Sequence, residues 1–126
     1  MPKPITLLIL PLALLLCACP KDQRDATVTF AAGRPVFDGD RTDCIIRLTI
    51  APEQPGAQAA PVWQTETPLP VGDNLPCPMR FPVTYGAAPP GIHAWPETAP
   101  PLQPGRTYRL SVDGLDADHG AEYRVP

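Results

Sequence analysis

The chain of 126 residues contains one serine, Ser111, and two histidines, His93 and His119. Beyond position 19 it has one lysine, Lys21. These scarcities exclude much chemistry. Ser111 lacks a nucleophile-elbow sequence, and neither histidine belongs to a His-x-x-x-His or His-Glu pair of metal-ligand spacing. Lys21 sits in a polar N-terminal stretch. No catalytic residue, metal ligand or cofactor is therefore expected. Apolar residues are also few. After position 18 only 20 of 108 residues are Leu, Ile, Val or Phe, enough for one small domain with a thin core and too little for a two-lobed enzyme. The formal charge of −3 gives no positive field for nucleic acid, so no nucleic-acid partner is expected. Proline is abundant at 20 residues. It recurs from position 52 to 104 at intervals too short for a helix.

The apolar material that does form a run lies at the start. Lys3 precedes Ile5 to Leu16, broken only by Thr6 and Pro11. A stretch of twelve residues spans about 18 Å as a helix, short of the ~30 Å bilayer core. A charged start, a short apolar stretch and small residues describe a secretory signal. Leu16-Cys17-Ala18-Cys19 resembles the bacterial lipobox, which implies a signal peptide at 1–18 and fatty acylation of Cys19. Two or more acyl chains would anchor the protein stably. An ordinary cleaved signal with incidental cysteines is the competing reading. Residues 19–26 then form the lipidated Cys and a polar tether. Pro20 stands where an Asp, by the same resemblance, would favour inner-membrane retention. The implied location is the periplasmic face of the outer membrane.

Export leaves Cys44 and Cys77 in an oxidising compartment, where two cysteines in a small domain suggest a disulfide. Metal binding by this pair would need more ligands than two. The surrounding segments alternate. Cys44, Ile46, Leu48 and Ile50 share one face of Cys44–Ile50; Cys77, Met79, Phe81, Val83 and Tyr85 share one face of the second segment. Both thiols thus point to apolar faces. Thr27–Ala31 predicts a strand with Val28 and Phe30 inward. Pro61–Glu66 predicts another without an assigned face. Arg106–Asp113 turns Tyr108, Leu110 and Val112 inward, and Glu122–Val125 is its hairpin partner across a Gly114–Gly120 connection. Pro82 places its own strand at an edge or a bulge. The pattern predicts an all-β domain over 27–126, a small antiparallel β-sandwich of six or seven strands, immunoglobulin-like in size and strand spacing. Residues 86–104 read as a long proline-rich loop, a kind often functional or mobile.

Two acidic clusters, Asp38 to Asp43 and Asp113 to Asp118, each hold three carboxylates. Neither matches the calcium-loop series, and Asp-Gly pairs are equally what tight turns need. Each lone histidine reads as a solvated side chain. Trp63, His93 and Trp95 are candidates for partner binding, because exposed aromatics anchor interfaces. Both tryptophans capping the core is the competing reading.

The motifs also occur in a familiar order: the lipobox, the strand Thr27–Ala31, Cys44 opening an apolar strand, Leu75-Pro76-Cys77-Pro78, and Gln103-Pro104-Gly105-Arg106-Thr107-Tyr108 leading into Arg109 to Val112. This layout resembles small periplasmic lipoproteins described as candidate type VI secretion system immunity proteins. The departures are the long proline-rich insert at 86–104 and Leu-Pro-Cys-Pro in place of Cys-Leu-Pro. The resemblance implies a membrane-anchored protein that binds and neutralises a toxin delivered into the periplasm. A structural or accessory envelope lipoprotein is the alternative. After Cys19, nine Lys and Arg face thirteen Asp and Glu, a net −4 that would steer a basic partner. Globomycin treatment of expressing cells should accumulate a larger precursor; unchanged electrophoretic mobility would reject lipidation at Cys19.

Overall fold

A computed structural model describes residues 21–55, 59–68, 70 and 74–126. The signal at 1–18 and Cys19 lie outside the described residues. Among the described residues there are nine strands and no helix. They are β1 (Asp22–Asp25), β2 (Thr27–Ala31), β3 (Arg34–Asp38), β4 (Ile45–Pro52), β5 (Trp63–Glu66), β6 (Val83–Thr84), β7 (His93–Trp95), β8 (Thr107–Gly114) and β9 (Ala117–Arg124). One sheet has six strands in the order β1-β9-β8-β4-β5-β7; the other has three, β2-β3-β6.

The strongest alternation gives the central pair. Tyr108, Leu110 and Val112 of β8 are buried while Arg109, Ser111 and Asp113 face out. β9 runs antiparallel to β8, Asp113 opposite Asp118 and Thr107 opposite Arg124. The connection is therefore shorter than Gly114–Gly120, which the sequence offered as loop. His119 and Ala117 belong to the ladder, and only Leu115 and Asp116 stand outside it. Polar and small residues hid this half of β9 from a hydrophobic pattern.

β4 shows why one face was misread. Ile45 pairs with Gly114 and Arg47 with Asp113, so Ile46 is an extra residue in a β-bulge. The bulge turns Ile45 fully inward and leaves Ile46 half-buried. After it, Leu48 and Ile50 recover the expected face. In β5 the inward residues are Trp63 and Thr65, both fully buried. Cys77 to Tyr85 keeps its alternation, with Met79, Phe81, Val83 and Tyr85 buried. Only Val83–Thr84 makes a ladder, as the edge strand of the smaller sheet. Pro82, with no N–H to give, immediately precedes it.

Two further expectations change. Asp22–Asp25 is not a free tether but an edge strand, parallel to β9, with Asp22 opposite Ala117. Its side chains are all exposed, so no apolar periodicity marks it; the backbone ladder holds it, and the Ala26 N–H continues the pairing to the Gly120 carbonyl at 2.8 Å. The folded unit thus begins ahead of Thr27, with a parallel pair in a sheet expected to be antiparallel. In β2, Val28 is half-buried and Phe30 is 36% exposed, leaning on Tyr123 at 6.2 Å instead of entering the core. β2 is the outer strand of its sheet, closed onto β3 by a two-residue turn in which Ala32 and Gly33 both have positive φ.

Residues of both sheets meet in one core: Phe37 and Val83 from the smaller, Ile45, Leu48, Ile50, Trp63 and Leu110 from the larger. The Phe37 and Tyr123 rings lie 5.7 Å apart across it. Cys44 and Cys77 are joined as a disulfide with Cα atoms 5.7 Å apart, linking the start of β4 to the extended segment before β6. The bridge closes a loop of 33 residues, which on the chain-entropy model stabilises the fold by about 3.7 kcal/mol. For a domain of this size that is a large part of the total. Denaturant titration of the Cys44→Ala/Cys77→Ala variant should show a loss of about 3–4 kcal/mol against the oxidised protein. Equal midpoints for the two would show that the bridge contributes nothing.

Candidate functional site

Two places in the fold hold polar or aromatic groups that the core does not explain. One is buried. Asp43 lies just before the Cys44 bridge and is 1% exposed. Its Oδ1 accepts the Asp116 N–H at 2.9 Å, and its Oδ2 accepts the Ala117 N–H at 3.2 Å. The His119 Nε2 lies 2.8 Å from the same Oδ2. Burial pushes the Asp43 carboxyl up, but the His119 hydrogen bond and the two amides outweigh it and hold it below the usual carboxylate range. An ionised carboxylate only accepts, so Nε2 carries the proton. His119 is 2% exposed, with the Phe81 ring edge-on at 5.3 Å, which corrects its reading as a solvated loop side chain. Its Nδ1 meets no hydrogen-bond partner among the described residues.

Gly114 completes this arrangement, because a Cβ there would collide with the Asp43 carboxylate and the Ala117 carbonyl. The Leu115 N–H donates to the Cys44 carbonyl at 2.8 Å. Asp43 and Cys44 together therefore fasten the β8–β9 turn to the start of β4. The remaining carboxylates of the first acidic cluster serve their own turn. Asp38 accepts from Gly39 N–H and from Arg41, and Asp40 accepts from Thr42 and pairs with Arg24. The Arg41 guanidinium lowers the Asp38 carboxyl, and the Thr42 hydroxyl lowers that of Asp40. In the second cluster Asp113 and Asp118 both reach Lys21, at 2.6 and 3.6 Å. Among the described residues no three such side chains are grouped as a metal site.

The other place is exposed. β7 is an edge strand of the six-stranded sheet, with His93 opposite Glu66 and Trp95 opposite Gln64 of β5. Alternation puts His93 and Trp95 on one side of the strand, where their rings stack at 6.1 Å and 24°. Trp95 is 51% exposed. Trp63, in contrast, is fully buried and meets Tyr85 edge-on at 5.3 Å, so it caps the core and cannot reach a partner. The three aromatic candidates thus divide into one core residue and one surface pair.

The segment that carries this pair is not a plain loop. Besides holding β7, it is pinned from beneath by two tyrosines: the Tyr85 hydroxyl donates to the Pro100 carbonyl at 2.6 Å, and the Tyr108 hydroxyl accepts the Gln103 N–H at 3.0 Å. Burial drives the Tyr85 phenol up to about 12, so it remains a donor throughout the neutral range. Depressions of about 390 and 480 Å³ lie beside the segment and share Gly86 and Glu97. Glu97 was not singled out by the sequence. A lone Glu between prolines carries no motif; it follows Trp95 by two positions, and the fold sets both beside Gly86.

No family model, curated protein or solved structure matches the chain. The class is therefore defined by its own geometry: an all-β protein of two sheets, closed by one disulfide, with an exposed aromatic pair on an edge strand.

Asp43→Ala should cost about 3 kcal/mol in denaturant titrations, because it leaves two buried amides and an imidazole without an acceptor. Asp43→Asn should also flatten the acid limb of stability. The depressed carboxyl contributes stability above the ordinary carboxylate range and loses it as pH falls through the folded value. An unchanged acid limb in Asp43→Asn would contradict the role given to Asp43. Gly114→Ala should destabilise by the same clash, read as a lower thermal midpoint.

Proposed function

We propose that this chain is an exported lipoprotein held at the membrane through Cys19, whose domain binds and neutralises a protein partner and performs no catalysis. The two sheets are read as a β-sandwich of immunoglobulin-like size, and the setting as the periplasmic face of the outer membrane. The observation that carries the reading is Trp95. A chain poor in apolar residues leaves an indole half-exposed on an edge strand and stacks a histidine against it. Such rigid aromatic anchors are what protein interfaces use.

Three other features support it. The disulfide fits an oxidising compartment. The lipobox-like Leu16 to Cys19 supplies an anchor. The order of motifs resembles the candidate type VI secretion immunity lipoproteins. The position of β1 adds a consequence. Only Pro20 and Lys21 separate Cys19 from the first strand, so an acylated Cys19 would keep the domain within about 10 Å of the lipid surface. A protector held this closely meets its target at the membrane face.

The test is protection. Cells directing the cognate secreted toxin into the periplasm should resume growth when this protein is co-expressed, and Trp95→Ala should weaken the rescue while the protein stays folded. Rescue by a variant lacking the signal would contradict the periplasmic setting. Failure against every effector encoded beside it would favour the accessory envelope role.

A further inference from the structure

We infer that the trough beside β7 receives an extended segment of a protein partner, seating a Lys or Arg side chain between the Trp95 indole and the Glu97 carboxylate. The partner being a protein rests on the function proposed above; the chemistry of the trough rests on the residues themselves.

The trough has three physical marks of a recognition site. Its shape is preformed. The two depressions meet at Gly86 and Glu97 and are walled largely by alanines and prolines that have little side-chain entropy to lose. The Tyr85–Pro100 hydrogen bond fixes one wall to the core. Its backbone is open. β7 ends the six-stranded sheet, and beyond it no strand is paired among the described residues, so an extended segment can add along it.

The third mark is charge. His93 and Trp95 stand on the outward face of the six-stranded sheet, in register with Glu66 and Gln64, and over the rest of that face the ionic groups satisfy one another: Lys21 bridges Asp113 and Asp118, Arg47 reaches Glu66 at 3.2 Å, and Arg109 holds Glu53 at 2.9 Å. Away from β7, that face therefore offers a partner little unmet charge. In the trough, Glu97 has no cation within 4 Å among the described residues, and the exposed Trp95 lines the same space. A carboxylate beside an indole attracts a cation through both the ion and the ring quadrupole. Arg34 lines the far depression without a carboxylate partner among the described residues, which gives the trough a polarity. The cation of the occupant belongs at the Trp95 end, and a carbonyl or carboxylate at the Arg34 end.

The probes are three capped peptides of alternating Val and Thr that differ only at one central residue, Arg, Gln or Glu. Each is titrated into the full-length oxidised protein in detergent micelles, followed by calorimetry and by tryptophan emission, to which buried Trp63 adds a constant background. The Arg peptide should bind saturably and more weakly at high salt, with its affinity reduced about three- to tenfold by Glu97→Gln and by Trp95→Ala. Unchanged thermal midpoints of both variants show that they are folded. Equal binding of the Gln or Glu peptide, indifference to both substitutions, or no binding of the Arg peptide would overturn the inference. So would a concentration-dependent dimer abolished by Trp95→Ala, which would give the edge to a second copy of this chain. Binding that passes these tests while growth rescue fails would leave the trough assignment standing and remove only toxin neutralisation.

Discussion

The fold depends on a single buried carboxylate. Asp43 accepts from two backbone amides in the β8–β9 connection and from the His119 ring, and its neighbour Cys44 carries the disulfide. Three stretches far apart in the chain are thereby fixed at one point: the end of the 38–43 turn, the tip of the strongest hairpin, and the extended segment that Cys77 brings alongside. A buried charge is costly unless every lone pair is used. Here the acceptors are engaged, and the close approach is possible because Gly114 has no side chain. A core with so few large apolar residues gains definition from this polar contact that hydrophobic burial alone would not supply.

Much of the chain's organisation was legible in its residues. Absence of helix among the described residues followed from proline spacing, and the inward faces of Thr107–Gly114 and of Met79 to Tyr85 followed from alternation. The Cys44–Cys77 pairing was expected from the two cysteines that lie beyond the lipobox-like segment, each on an apolar face of its strand. Misreadings share a cause. Asp22–Asp25 is held by backbone hydrogen bonds with every side chain in solvent, so no pattern in side-chain polarity records it. Ile46 was placed inward because a bulge cannot be seen in a run of apolar residues. His119 was read as solvated because its partner lies 76 residues away, and nothing local signals such a pair.

The aromatic candidates illustrate the same limit at the functional surface. Trp63 and Trp95 are equivalent in composition, and only the fold separates them. Trp63 lies on the face of β5 turned to the core and is fully enclosed; Trp95, in register with Gln64 on the edge strand β7, lies on the outward face and is half in solvent. The stacked His93 and the nearby Glu97 then make that edge chemically distinct from the self-neutralised remainder of the same face. The Asp43–His119 contact holds the frame, while β7 ends its sheet with no further strand paired to it among the described residues.

The most direct measurement of that division is site-specific photocrosslinking in cells that deliver the cognate toxin to the periplasm. A photoreactive residue is placed at position 93 on β7 or at position 109 on β8, on the same face of the sheet with β4 and β5 between them. One discrete adduct with the toxin from position 93, and none from position 109, is the expected result. Adducts from position 109 alone, or equally from both, would contradict the assignment of the β7 edge as the binding surface.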